Sequence, residues 1–172
     1  MEIRTAIEDD LPALLAIYND VIATSTAVFA TEPVTLDDRR TWMRDRQAAG
    51  YPVLVATSHE KVTGFASFAE FRGAWNGYRY SVEHSVHVDS GTRGKGVGSA
   101  LVAALFACAI ELQKHVMIGG IDAANGASLR LHERLGFERV ALLPEVGRKF
   151  GRWIDLVFVQ KILDERGSVR AD

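Results

Sequence analysis

Two groups of residues could do chemistry in this chain of 172 residues. The first is Arg93-Gly94-Lys95-Gly96-Val97-Gly98. It follows an alternating run, Ser81 to Val88, and precedes apolar residues at Val97, Leu101, Ala104, Leu105, Cys108 and Leu112. Alternation is strand period, and the later spacing is helix period. A strand, a glycine turn and a helix start expose several unpaired N–H groups at one point, with the helix dipole behind them. Such a turn receives a phosphate or pyrophosphate. A nucleotide P-loop needs Ser or Thr after Gly-Lys, and Gly96 stands there instead. The dinucleotide pattern G-x-G-x-x-G fails too, because it ends on Ser99 or Leu101.

The second group is Asn125, Ser128 and His132. Asn125 is a good helix N-cap and Gly136 a good stop. At about 100° per residue the three polar residues share about a 60° arc. Ala127, Leu131 and Leu135 make the apolar stripe beside it.

These residues need elements to hold them. The pattern predicts a strand at 2–5, a helix at 8–23 with Pro12 in its first turn and a helix at 35–48 opened by Thr35 and Asp38. Strands follow at 52–56, 62–71 and 80–88. After the glycine turn come a helix at 96–112, a strand at 115–121, a helix at 126–135 and closing strands at 137–146 and 152–163. The expected architecture is one α/β (α+β) domain over residues 1–163 with a polar, frayed tail at 164–172. A net charge of −2 gives no reason to expect nucleic acid or an anionic membrane. No apolar run reaches membrane-span length, no signal peptide opens the chain, and a cytoplasmic enzyme is expected. Cys108 is the only cysteine, and no His/Asp/Glu set has metal-ligand spacing, so no metal is expected.

Arg93-x-x-Gly96-x-Gly98 resembles the pyrophosphate loop of the GCN5-related N-acetyltransferase (GNAT) superfamily. Asn125 to Phe137 resembles that superfamily's second cofactor motif. The resemblance implies a central mixed, mostly antiparallel twisted sheet flanked by helices, with two strands splayed to admit acetyl-CoA. It places Val86, His87, Val88, Arg93, Gly94, Lys95, Gly96, Val97, Gly98, Asn125 and Ser128 at the cofactor. Glu83 is the candidate base, since partial burial on the central strand would raise its pKa. His132 stands where the superfamily often has a tyrosine acid for the departing thiolate, and a near-neutral histidine can serve. A main-chain N–H near Val86 to Val88 is expected to meet the oxyanion.

Ile17-Tyr18-Asn19, Gly50 to Val55, Val82 to Val86 and Lys149 to Asp155 resemble the phosphinothricin and methionine sulfoximine/sulfone acetyltransferases. These acetylate the α-amine of small amino-acid analogues and are homodimers. On that likeness Arg72 is the first choice for an anionic substrate group, because guanidinium binds one bidentately. Gly73, Ala74 and Trp75 would wall the pocket, with Glu83, His84 and Ser85 beside it. Phe29, Lys149 and Trp153 are weaker candidates. Two alternatives stay open: a protein, lysine or polyamine acceptor, and an acyl-CoA sensor without turnover.

Overall fold

The computed structural model describes residues 1–164; the expected tail lies almost wholly outside that range. Strands β1 (Glu2–Thr5), β2 (Val53–Ser58), β3 (Lys61–Glu70), β4 (Ser81–Val88), β5 (Val116–Asp122), β6 (Glu138–Lys149) and β7 (Arg152–Ile162) form one sheet, ordered β1-β2-β3-β4-β5-β7-β6. Every neighbouring pair is antiparallel except β4 and β5. This is the expected mixed, mostly antiparallel sheet.

Helices cover both faces. On one, α1 (Leu11–Thr24) and α2 (Leu36–Ala48) bury Leu14, Ile17 and Met43 against Val53, Val55 and Phe65. On the other, α3 (Val97–Glu111) and α4 (Gly126–Arg134) bury Leu101, Leu105 and Leu129 against Phe68, Val82, Met117 and Val159. Alternation along β4 follows from the strand's period of two. Val82 and Val86 face α3, whereas His87 packs beneath Tyr18 of α1.

Two element boundaries differ from the sequence expectation by three residues, and the others agree within one or two. The first helix starts at Leu11 rather than residue 8. Residues Glu8–Asp10 form a separate 3₁₀ turn, because the Asp10 carboxylate folds back to accept the Ile7 N–H at 2.9 Å and both arms of the Arg4 guanidinium at 2.7 and 2.8 Å. Strand β6 runs to Lys149 rather than ending at 146, and register shifts at 139–141 and 143–147 absorb Pro144.

The feature that positions the site is a short ladder. β4 and β5 pair only at Ser81–Val116, Val82–Met117 and Glu83–Ile118. Beyond Glu83, β4 stays with β3 as far as Val88, and β5 stays with β7 as far as Asp122. The two strands therefore part in a V. The His84 ring sits at its apex, packed so closely on Gly119 that a Cβ there would lie 2.7 Å from the ring.

Candidate active site

The V opens into a cleft of about 750 Å³. Val86, His87 and Val88 line one wall. Arg93, Gly94, Gly96, Val97 and Gly98 line its mouth, and Asn125 and Ser128 of α4 line the far side. Gly94 and Gly96 have φ of +77° and +82°, a conformation glycine adopts without a Cβ penalty. Gly96 is the N-cap of α3, so the first N–H groups of that helix point into the mouth. Arg93 reaches Asp20 of α1 at 3.4 Å. The Asn125 side chain accepts the Ser128 N–H at 3.0 Å and caps α4. Two helix N-termini and a guanidinium thus converge on one opening, which suits a diphosphate. The edge of β4 released from β5 leaves main-chain groups open along the cleft.

Glu83 stands at the last ladder position on the α1–α2 side of the sheet. Its carboxyl leans toward Gly120 of β5, where an added Cβ would lie 3.4 Å from Oε1. It opens to solvent, yet the flanking strands desolvate it enough to push its pKa above the usual carboxylate range. Ser85 is exposed on the same face. His87 is buried between Tyr18 and Phe65, at ring separations of 5.2 and 5.0 Å, and its Nδ1 has no hydrogen-bond partner. Burial, then the nearby Arg39 guanidinium, push it down to about 4.

Several residues singled out in the sequence lie elsewhere. His84 is not at the substrate face. It is buried on the α4 side, where its Nδ1–H donates to the Ile118 carbonyl at 2.8 Å and its Nε2 lies 2.9 Å from His132 Nε2. Burial, then His132, push it down to about 3. His132 is equally buried, its Nδ1 2.8 Å from the Ser128 carbonyl, and it does not line the cleft. Its pKa is also lowered by burial. Lys95 turns from the mouth to donate to the Gly91 carbonyl at 3.1 Å. Arg72, Gly73, Ala74 and Trp75 form an exposed loop outside the cleft, with the Arg72 guanidinium 5.2 Å from the Trp75 ring. Lys149 is structural: its buried Nζ donates to the Ser25 and Val28 carbonyls at 2.8 and 2.7 Å. Phe29 packs on Gly147, and Trp153 is exposed.

Other residues at the cleft escaped the sequence pattern. Thr26 of the α1–α2 loop bonds to Asp122 of β5, whose carboxylate also accepts the Ala124 N–H at 2.8 Å and lies 3.6 Å from Arg152. Together with Lys149 these contacts draw residues 25–29 over the open strands. Arg130 and Arg134 line the same cleft one turn apart on α4; their i,i+4 spacing was the available signal.

The profile of the Acetyltransferase (GNAT) family matches residues 14–137, from within α1 to just past the end of α4. The chain belongs to the GNAT family. Among its relatives, the L-methionine sulfoximine/L-methionine sulfone acetyltransferase of Salmonella typhimurium is 45% identical over 168 residues, 98% of each chain. A solved Salmonella typhimurium acetyltransferase with its cofactor acetyl-CoA is 45% identical at a TM-score of 0.94, covering 97% of this chain and 96% of that one. A solved structure named ribosomal-protein-alanine N-acetyltransferase, from Brucella melitensis, is 48% identical at a TM-score of 0.92, covering 94% and 99%. GNAT enzymes are N-acetyltransferases. No helix among the described residues is long and apolar enough to cross a membrane.

Proposed function

We propose that this protein transfers the acetyl group of acetyl-CoA to the α-amine of small amino-acid analogues. L-methionine sulfoximine and L-methionine sulfone come first, and phosphinothricin next. One observation carries the reading: the V between β4 and β5 has a glycine-rich anion cradle at its mouth and a carboxylate of raised proton affinity at its apex. The relatives' names supply the acceptor class. In this reading N–H groups from Arg93 to Gly98 hold the diphosphate, and Asn125 and Ser128 close the far wall. A main-chain N–H on the free edge of β4 near Val86 to Val88 meets the oxyanion. Glu83 takes the ammonium proton, directly or through one water. Arg72, poised over Trp75 and Tyr78, binds the carboxylate or the oxygens of the substrate head, with Gly73, Ala74 and Ser85 beside it.

The working form in this reading is a cytoplasmic homodimer. Exposed Val140, Leu142 and Val146 on the edge strand β6, near exposed Phe150 and Trp153, support it, since apolar patches of this kind mark protein contacts. A monomer in light scattering would remove that part.

A thiol-release assay with acetyl-CoA tests the acceptor against L-methionine sulfone, L-methionine sulfoximine, phosphinothricin, a polyamine and a peptide with N-terminal alanine. Release with the amino-acid analogues supports the proposal. Release only with the peptide favours a protein N-terminus, the reading suggested by the Brucella melitensis name. Saturable CoA binding without any release makes the chain a sensor.

A further inference from the structure

Four arginines line the cleft, Arg93, Arg130, Arg134 and Arg152, and Asp122 is the one acidic residue among the described ones beside them. Two of the four are occupied. Arg93 reaches Asp20 at 3.4 Å, and Arg152 lies 3.6 Å from Asp122. Among the described residues, Arg130 and Arg134 have neither an ion pair nor a hydrogen-bond partner on their guanidinium groups. Glu133, between them in sequence, turns away to Arg139 at 2.6 Å.

Their placement makes that isolation unfavourable. Both stand on α4, four residues apart, where side chains are neighbours and like charges repel. The Arg130 guanidinium folds back over the first turn of the helix, where a Cβ on Gly126 would lie 3.1 Å from its Nη1. That position puts a cation at the positive end of the helix dipole. An anion at this rim would offset both repulsions. Guanidinium forks match the oxygens of a phosphate and bind them bidentately.

The diphosphate of coenzyme A has donors elsewhere. The loop from Arg93 to Gly98, on the opposite wall, presents the first N–H groups of α3 to it. Coenzyme A carries one more phosphate, a monoester on the 3′ carbon of the ribose that bears the diphosphate. At neutral pH such a group holds close to two negative charges. Sharing that ribose, it lies just beyond the mouth when the diphosphate is seated. The two unmatched guanidiniums of α4 stand at the same rim.

We propose that Arg130 and Arg134 bind the 3′-phosphate of coenzyme A, and so select it over 3′-dephospho-coenzyme A, which has the same pantetheine arm and the same diphosphate. The proposal rests on the acetyl-CoA reading of the cleft. The two walls then divide the ligand's charge: main-chain N–H groups take the diphosphate, and side chains of α4 take the monoester.

Calorimetric titration with coenzyme A and with 3′-dephospho-coenzyme A is the test. The unmodified chain should bind coenzyme A about tenfold more tightly, the size expected of charge-assisted hydrogen bonds at a solvent-exposed rim. Arg130→Ala and Arg134→Ala should each weaken coenzyme A by about threefold and leave 3′-dephospho-coenzyme A within about 1.5-fold. The double variant should bind the two ligands alike. Equal affinity of the unmodified chain for both ligands overturns the proposal and needs no variant. An equal loss for both ligands in the variants also overturns it, because the arginines would then hold the diphosphate. An unmodified chain that binds neither ligand sinks the acetyl-CoA reading itself, a result separate from either of these.

Discussion

Acid should weaken this fold through His87, and the size of the effect can be worked out. The ring is 7% exposed, wedged between Tyr18 and Phe65, with Nδ1 unpartnered and the Arg39 guanidinium nearby. Its pKa in the fold is about 4, against about 6.5 in an unfolded chain. The folded state binds the proton less tightly, so protonation favours unfolding. Stability is intact above about pH 6.5 and falls as the pH drops toward about 4, where the loss from this residue is complete. At about pH 5 the unfolded chain has gained about 2 kcal/mol from this one site. His87→Phe keeps an aromatic ring against Tyr18 and Phe65 and cannot titrate. Urea unfolding of both proteins at about pH 7.5 and about pH 5 isolates the residue, because every other group cancels in the double difference. The unmodified protein should lose about 2 kcal/mol more than the variant. Equal losses would refute the account of a buried, uncharged His87.

Replacing Glu83 by Gln should cut turnover by about 10²–10⁴ and leave acetyl-CoA affinity intact, as steady-state kinetics and calorimetry would report. Because burial raises the Glu83 pKa and the deprotonated carboxylate does the work, the unmodified enzyme should lose rate on acidification at a pH above the ordinary glutamate value; the variant should lack that limb. Lys149→Met removes two charged donations that hold the Ser25 and Val28 carbonyls. It should cost about 2 kcal/mol in denaturant unfolding and speed proteolytic cleavage within residues 25–34.

Local signals made much of this protein legible in its sequence. The strand, glycine turn and helix from Ser81 to Glu111 announce themselves by a change of period, and the structure places them within a residue or two of expectation. Asn125 caps α4 as its type suggests. What stayed hidden depends on contacts distant in the chain. His84 and His132 are 48 residues apart, so no local pattern shows that they touch. Lys149 reads as a surface residue, yet it is buried because two carbonyls 121 and 124 residues away need a donor. Gly147 looks like a turn residue just where the expected strand stops; bulges let β6 carry both it and Pro144. Lys95 sits in the glycine motif but turns toward Gly91, because its side chain finds a nearer acceptor there.

The three-rung seam between β4 and β5 has a mechanical consequence. The sheet amounts to two leaves, β1–β4 and β5–β7, stitched along one short margin. The packing of α3 and α4 across both leaves acts as the binding of a book. A molecule wedged between the pages would bridge main chain on either side and stiffen the spine, so occupancy should tighten the whole domain rather than only its mouth. Amide exchange along the β5–β7 leaf would register that tightening far from the nearest point of contact.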